Sequence, residues 1–284
     1  MPPACETYKT NAAQAGGVTL RCATKQKMTN YFNYSTAAKR YKEGRPNIHP
    51  AVVERVKAKL ALTNKLKNVL DVGCGTGLST VALLDISERV IGVDTSAAML
   101  EQAEVQPGIQ YQQLSAEEID TLGVTFDLIM MSSVFHWLNQ RVFLEACGRA
   151  LRADSYIIIH NNYFTSTTKG DNSADFTVWM RERYLPKYTT PPRHNYQLNE
   201  EEIKALGFAL TDNERFENTV HWQKQDLINY LITQSNVIAN VELGNYRIDE
   251  VTAWLAEELT THFEGDEERE FVFGNRLILL KKIK

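Results

Sequence analysis

The run Asn68-Val69-Leu70-Asp71-Val72-Gly73-Cys74-Gly75-Thr76-Gly77-Leu78 limits the fold more than any other stretch of the chain. A short apolar strand ends in an acid, enters a turn with glycine at alternate positions, and takes up helical spacing after Gly77. Glycines so placed let the backbone turn tightly with no Cβ in the way, and they leave the peptide plane open to a ligand. A second strand, Val90-Ile91-Gly92-Val93-Asp94, also ends in an acid, and 94 − 71 = 23 residues separate the two carboxylates. Strand, glycine turn, helix and strand in series form the front of a nucleoside-binding α/β unit.

The spacing of the turn selects among ligands. The dinucleotide fingerprint is G-x-G-x-x-G, in which turn and helix N-terminus hold a pyrophosphate. Here Gly73, Gly75 and Gly77 give G-x-G-x-G, with Asp71 two residues ahead. A carboxylate at Asp71 repels a pyrophosphate but suits the ammonium of a methionine moiety, directly or through water. Asp94 is placed to accept both ribose hydroxyls, a role shared with NAD enzymes, so it does not discriminate. A plain tight connection remains a competing reading for the glycines. For Asp94 that reading is a helix cap, since Thr95-Ser96-Ala97-Ala98-Met99 has the form of a helix start.

Four segments carry a resemblance: Val69–Leu78, Val90–Leu100, Tyr111–Asp120 and Phe126–Leu138. Together they resemble the class I S-adenosylmethionine-dependent methyltransferases, within them the small-molecule (methyltransferase type 11) group that includes trans-aconitate and juvenile hormone acid methyltransferases. The likeness covers roughly residues 30–160 and weakens toward the C-terminus. It implies a Rossmann-like α/β fold with a seven-stranded, mostly parallel sheet, helices on both faces and a helical lid. It also implies S-adenosyl-L-methionine as cofactor and a small-molecule substrate, with a carboxylic acid as one class.

The resemblance assigns further residues. Thr95 and Met99 flank Asp94 as cofactor contacts. Ser115-Ala116-Glu117 after the third strand falls beside the adenine, and Ser115 with Glu118 also reads as a capping box. Tyr41 and Arg45 match a Tyr-x-x-x-Arg-Pro signature and close over the methionine end, the arginine supplying a charge-assisted bond. Tyr31 is a further covering residue. Ser132 ends the fourth strand on the cofactor side, and Phe135-His136-Trp137 follows it between cofactor and substrate. His136 and Trp137 are the catalytic candidates, with His136 either a general base or a positioning group. The competing reading of His136 is a packed, backbone-bonded histidine.

Composition bounds the rest. The 284 residues carry a formal charge of −4, so the basic excess of an electrostatic nucleic-acid grip is absent. No apolar run suffices for a membrane span. Cys5, Cys22, Cys74 and Cys147 show neither C-x-x-C nor metal spacing, which suits a reducing, cytoplasmic setting and no metal site. Residues 1–27 read as a flexible extension with a weak basic bias, and 28–284 as one domain: core 28–160, lid 161–200 plus late helices 224–263. Oligomeric state is not legible. An NAD-type oxidoreductase and a non-catalytic cofactor-binding protein stand as the alternative functions.

The pattern predicts helices over Tyr31–Lys42, Ala51–Leu62, Thr76–Leu84, Ala97–Ala103, Asn139–Leu151, Phe176–Tyr184, Glu200–Leu206, Lys224–Thr233 and Ile248–His262. It predicts strands over Val69–Val72, Arg89–Asp94, Gln110–Gln113, Phe126–Ser132, Ser155–His160, Phe208–Trp222 and Phe271–Lys281, the last two as a hairpin. Trp179, Arg181, Arg183, Tyr184, Arg193, His194 and Trp222 are the substrate candidates: arginines suit a carboxylate, aromatics an apolar acceptor. Each equally fits a lid that packs its own aromatics and turns its arginines outward.

Overall fold

The computed structural model describes residues 34–169, 173–190, 199–263, 265 and 267–283. Tyr31, Arg193, His194, Cys5, Cys22 and the extension 1–27 lie outside the described residues. Two helices, α1 (Ser35–Gly44) and α2 (His49–Lys59), precede the sheet. Then come β1 (Leu66–Val72), α3 (Leu78–Leu83), β2 (Ser87–Asp94), α4 (Ala97–Leu100), β3 (Ile109–Gln113), β4 (Phe126–Ser132), α5 (Gln140–Ala150) and β5 (Leu151–Thr168). The second half holds α6 (Ser173–Trp179), a π-helical turn over Met180–Tyr184, α7 (Leu185–Lys187) and α8 (Glu200–Ala205). It closes with β6 (Phe208–Trp222), α9 (Lys224–Leu231), α10 (Ser235–Glu242), α11 (Ile248–Glu258) and β7 (Arg269–Lys282).

All seven strands form one sheet in the order β3-β2-β1-β4-β5-β7-β6. The first five are parallel, and β7 runs antiparallel to both β5 and β6. This is the expected Rossmann-like α/β fold. Chain order reverses beside β1, so the crevice beyond β1 and β4 is where a ligand binds in such a sheet. Both faces are covered: α5 buries Phe143, Leu144 and Cys147 against one, and α2 buries Val52, Val53 and Val56 against the other. Those stripes are the ones the helical spacing marks. A bulge between Leu210 and Asp212 offsets β6 from β7.

Four expectations need correction. β5 does not stop at His160 but continues to Thr168, pairing Asn162 with Asn275 and Phe164 with Phe273. The stretch looks like loop because its side chains are polar, yet a strand with a cavity on one face can carry them. β6 and β7 pair antiparallel as expected, but α9, α10 and α11 intervene, so the connection is not that of a hairpin. α10 is absent from the sequence expectation and fills the gap between the two late helices. Ser115 caps a 3-10 turn by accepting from the Glu117 amide and bonding the Glu117 carboxylate, so no box forms with Glu118.

The lid-side half has its own core, rich in aromatic side chains. Phe164 meets Phe176, Tyr230, Phe271 and Phe273 at ring separations of 5.2–6.1 Å. Phe271 and Phe273 of β7 are fully buried and carry this cluster into the sheet. Phe271→Ala is therefore expected to lower unfolding free energy by about 3–5 kcal/mol in denaturant titration. A loss below about 0.5 kcal/mol, a typical surface value, removes this cluster as the organiser of the second half.

Candidate active site

The glycine turn is fixed by backbone bonds before any side chain acts. Gly73 and Cys74 amides both donate to the Val93 carbonyl, at 2.8 and 3.0 Å, and the Gly77 amide donates to Cys74 at 2.9 Å. All three glycines have positive φ: +65°, +55° and +85°. A Cβ at Gly73 would collide with Val134 and one at Gly77 with the Tyr111 hydroxyl. At Gly75 a Cβ would stand 3.1 Å from Met99 Cε, at the cavity wall. Gly73 and Gly75 line the cavity, whereas Gly77 shapes the turn from behind, against Tyr111.

Asp94 ties the two strands together. Its Oδ2 accepts from the Gly75 amide at 2.9 Å and its Oδ1 from the Ser96 amide at 2.8 Å. Ser96, not Asp94, is the side-chain cap of α4, accepting from the Met99 amide. Burial raises the Asp94 carboxyl above its usual range, and the amides of Ser96, Gly75 and Thr95 pull it back. Asp94 still faces the cavity, as do Thr95 and Met99.

Asp71 sits deeper than a direct ammonium contact requires. It is fully buried, does not line the cavity, and its Oδ2 accepts from Ser79 and Thr80 hydroxyls at 2.7 and 2.6 Å. Its Oδ1 is buried with no protein partner, which leaves the water-mediated route as the one compatible with this placement. Burial drives the carboxyl from 3.8 to about 6, opposed by the two hydroxyls.

One cavity of about 800 Å³ collects most of the remaining candidates. That is near the top of the ~300–1000 Å³ range for enclosed ligand sites. Its first half is Gly73, Gly75, Asp94, Thr95, Met99, Leu114, Ala116 and Glu117. Ser115 lies just outside, spent on capping. Tyr41, Arg45, Ser132, His136 and Trp137 also line the cavity. The second half is built by β5 (Asn161, Asn162, Tyr163, Phe164, Ser166), Tyr184, Tyr230 and residues 234–236. Arg45 donates to the Thr233 carbonyl at 2.8 Å and lies 4.6 Å over the Tyr41 ring and 5.2 Å over that of Tyr230. Ser133, which also lines the cavity, takes φ +58° and is pinned to β5 by its amide bond to His160. A strained non-glycine turn of this kind concentrates at ligand sites.

The remaining lid candidates separate by what they touch. Tyr184 reaches the cavity. Trp179 packs on Phe176 and Trp254 and donates to Glu258 at 2.9 Å. Trp222 packs on Tyr230, Phe271 and Phe273. Arg181 and Arg183 are exposed and pair with Glu182 and Glu258. For these four the packing reading holds, and none lines the cavity. Sequence reasoning missed His49, Asn161, Asn162 and Gln234, all cavity-lining. Burial, with His160 adding, holds the His49 imidazole neutral by lowering it to about 3. Only the continued β5 could have revealed the asparagines. Among the described residues no acid, histidine and cysteine cluster could hold a metal, and no helix is long and apolar enough to cross a membrane.

Residues 70–159 match the family model described as a methyltransferase domain. A Dictyostelium discoideum protein described as a methyltransferase is 27% identical over 216 residues, 75% of this chain and 80% of its own length. A ubiquinone biosynthesis O-methyltransferase of Rhizobium etli is 28% identical over 156 residues, 51% of this chain and 60% of that protein. An Anaeromyxobacter dehalogenans protein described as a type II methyltransferase shares the fold, with TM-score 0.64, 21% identity and coverage of 84% of this chain and 98% of that one.

The Asp71 carboxyl yields a signed pH expectation for the ligand-free protein. A carboxyl that holds its proton more tightly when folded adds stability below its unfolded value, and that stability is lost as pH rises through the folded value. The window runs from 3.8 to about 6. Asp71→Asn should therefore gain on the native protein as pH rises across it, by about 2–3 kcal/mol, and stay level above. Parallel denaturation curves for the two proteins across the window would remove the buried-carboxyl assignment.

Proposed function

We propose that this chain, a class I S-adenosylmethionine-dependent methyltransferase by its domain match and fold, methylates a small neutral molecule held in the second half of the cavity. The observation that carries the proposal is the continuity of that one cavity, from the glycine turn to the Asn161–Ser166 wall. The residues present fit the cofactor. The open backbone of Gly73 and Gly75 receives its flat faces, and the Asp94 carboxylate, already oriented by two amides, accepts ribose hydroxyls. Met99, Leu114 and Ala116 give the adenine apolar walls, with Glu117 at its edge. Tyr41 and Arg45 close the methionine end, and Arg45 Nε is a buried donor with no protein partner.

S-adenosylmethionine supplies a methyl group already activated on a sulfonium. The chain's task is then to orient the acceptor, exclude water and receive a proton where the acceptor has one to lose. His136 and Trp137 line the cavity, and we assign them the boundary between its two halves. His136 is assigned the proton of an acceptor hydroxyl; Trp137 shapes the passage beside it, with the two rings 5.0 Å apart. Among the described residues after the 34–160 core, those of β5, Met180, Tyr184, Leu185, Tyr230 and Gln234 line the cavity and are assigned the substrate-covering role.

The wall chemistry favours a neutral acceptor over a carboxylic acid. A carboxylate in a partly dry cavity needs a cation. Among the described lining residues Arg45 is the one lysine or arginine, and it is assigned to the methionine end of the cofactor. The rest of the second half offers amides, hydroxyls and aromatic rings: Asn161, Asn162, Ser166, Asn236, Tyr184 and Tyr230. That lining suits a hydroxyl or amine on an apolar frame. The Rhizobium etli relative is an O-methyltransferase by its name, which is consistent with a hydroxyl acceptor.

In a thermal-shift assay S-adenosylhomocysteine should raise the melting temperature and NADH should not. Asp94→Ala should weaken S-adenosylhomocysteine binding by about 100-fold in calorimetry, the worth of two hydrogen bonds to a charged group. Radiolabel from the cofactor should pass to hydroxyl or amine small molecules and not to their carboxylic acid counterparts. Stabilisation by NADH alone discards the cofactor reading, and preferential labelling of acids discards the acceptor reading.

A further inference from the structure

A chain of buried polar groups runs from the cavity into the sheet, and neither the glycine motif nor the acceptor half accounts for it. Ser132 ends β4 and faces the cavity, level with Gly73 across the β1–β4 pairing of Val72 with Met131. Its Oγ stands 2.8 Å from His160 Nδ1. His160 is completely buried, and its Nε2 stands 3.0 Å from Asn275 Oδ1. Asn275, also completely buried, extends the chain to Asn218 on β6 at 2.6 Å.

The tautomer of the imidazole follows from the far end of this chain. Asn275 Nδ2 lies 3.3 Å from the Phe273 backbone carbonyl, which can only accept. The Asn275 amide is thereby oriented with its oxygen toward His160, where it also receives the Asn162 side-chain amide at 3.0 Å. An oxygen opposite Nε2 requires the proton there, so His160 Nε2–H donates to Asn275. Nδ1 is then bare and accepts the Ser132 hydroxyl. Burial lowers the imidazole below its ordinary value, which keeps it neutral and the tautomer fixed. Ser132 Oγ has spent its one proton inward and offers the cavity only lone pairs.

We propose that His160 and Asn275 are positioning residues that hold Ser132 Oγ as an acceptor-only group for the ammonium at the amino-acid end of the cofactor. The inference rests on the S-adenosylmethionine reading above and adds a polarity to it. Arg45 offers donors to the carboxylate at that end, and Ser132 offers an acceptor to the ammonium beside it. The two together recognise a zwitterion. Asp71, turned toward Ser79 and Thr80, leaves this direct contact to Ser132. A serine free to rotate would present its proton to the ammonium part of the time. The relay removes that alternative before the ligand arrives.

The test compares S-adenosylhomocysteine with 5′-methylthioadenosine, which keeps the adenosine and lacks the amino acid. Ser132→Ala should weaken S-adenosylhomocysteine about tenfold, the worth of one charge-assisted bond, and leave methylthioadenosine unchanged. Ser132→Thr, which keeps the hydroxyl, should restore affinity to within about threefold. Asn275→Leu lies outside the cavity wall and should reproduce the selective loss. Equal weakening of both ligands, or of neither, overturns the proposal. Nitrogen NMR of the native protein gives a reading that needs no variant: a protonated Nε2 and bare Nδ1 at His160 are expected, and the reverse tautomer overturns the relay. Native protein that binds neither ligand instead refutes the cofactor reading on which the relay rests.

Discussion

The bond from the Gly75 amide to Asp94 Oδ2 is the constraint on which the cavity depends. It joins the apex of the glycine turn to the end of the neighbouring strand, so two segments 19 residues apart behave as one wall. The bond requires Gly75 at φ +55°, a region closed to most side chains. It also requires a carboxylate to remain where burial disfavours its charge. Backbone amides meet that cost: Ser96 holds the second oxygen, and the strand end aims both at the ligand side. A ligand with paired hydroxyls adds donors to a carboxylate whose geometry is already set.

Asp71 completes the logic from beneath. Two carboxylates near one turn repel, and the deeper one is raised by burial with Asp94 contributing. Ser79 and Thr80, on the first turns of α3, supply hydroxyl donors just where that strain is greatest. The helix after the glycine turn therefore stabilises the buried acid as well as covering the sheet. An acid with one oxygen satisfied and the other unpartnered remains responsive to whatever charge or water enters above it.

The parts of the molecule written in local sequence were legible. The glycine turn, both acids, the β1–β4 strands and the α5 stripe need only neighbours within a few residues, and their spacing carries them. What was not legible depends on partners far along the chain. Asn161, Asn162 and Ser166 look like loop until β7 pairs with the strand that holds them. His160 and Asn275 are 115 residues apart, and nothing local marks either as polar machinery. Trp179 and Trp222 drew attention as large and amphipathic, yet the lid core claims them. Arg181 and Arg183 found acids on the outer face. An aromatic or a cation carries no local sign of which side of its element it will occupy.

The extension of β5 is what joins these two kinds of information. Where the strand runs beyond the core, Asn161, Asn162, Tyr163, Phe164 and Ser166 all line the cavity. His160 takes the inward side and bonds Asn275; Phe164 enters the aromatic core of the lid. Asn162 does both, lining the cavity while its amide serves Asn275. The β5 part of the cavity wall thus belongs to the same sheet that carries the glycine turn. Phe164 and Phe273, paired across β5 and β7, join the lid core to the strand that carries His160.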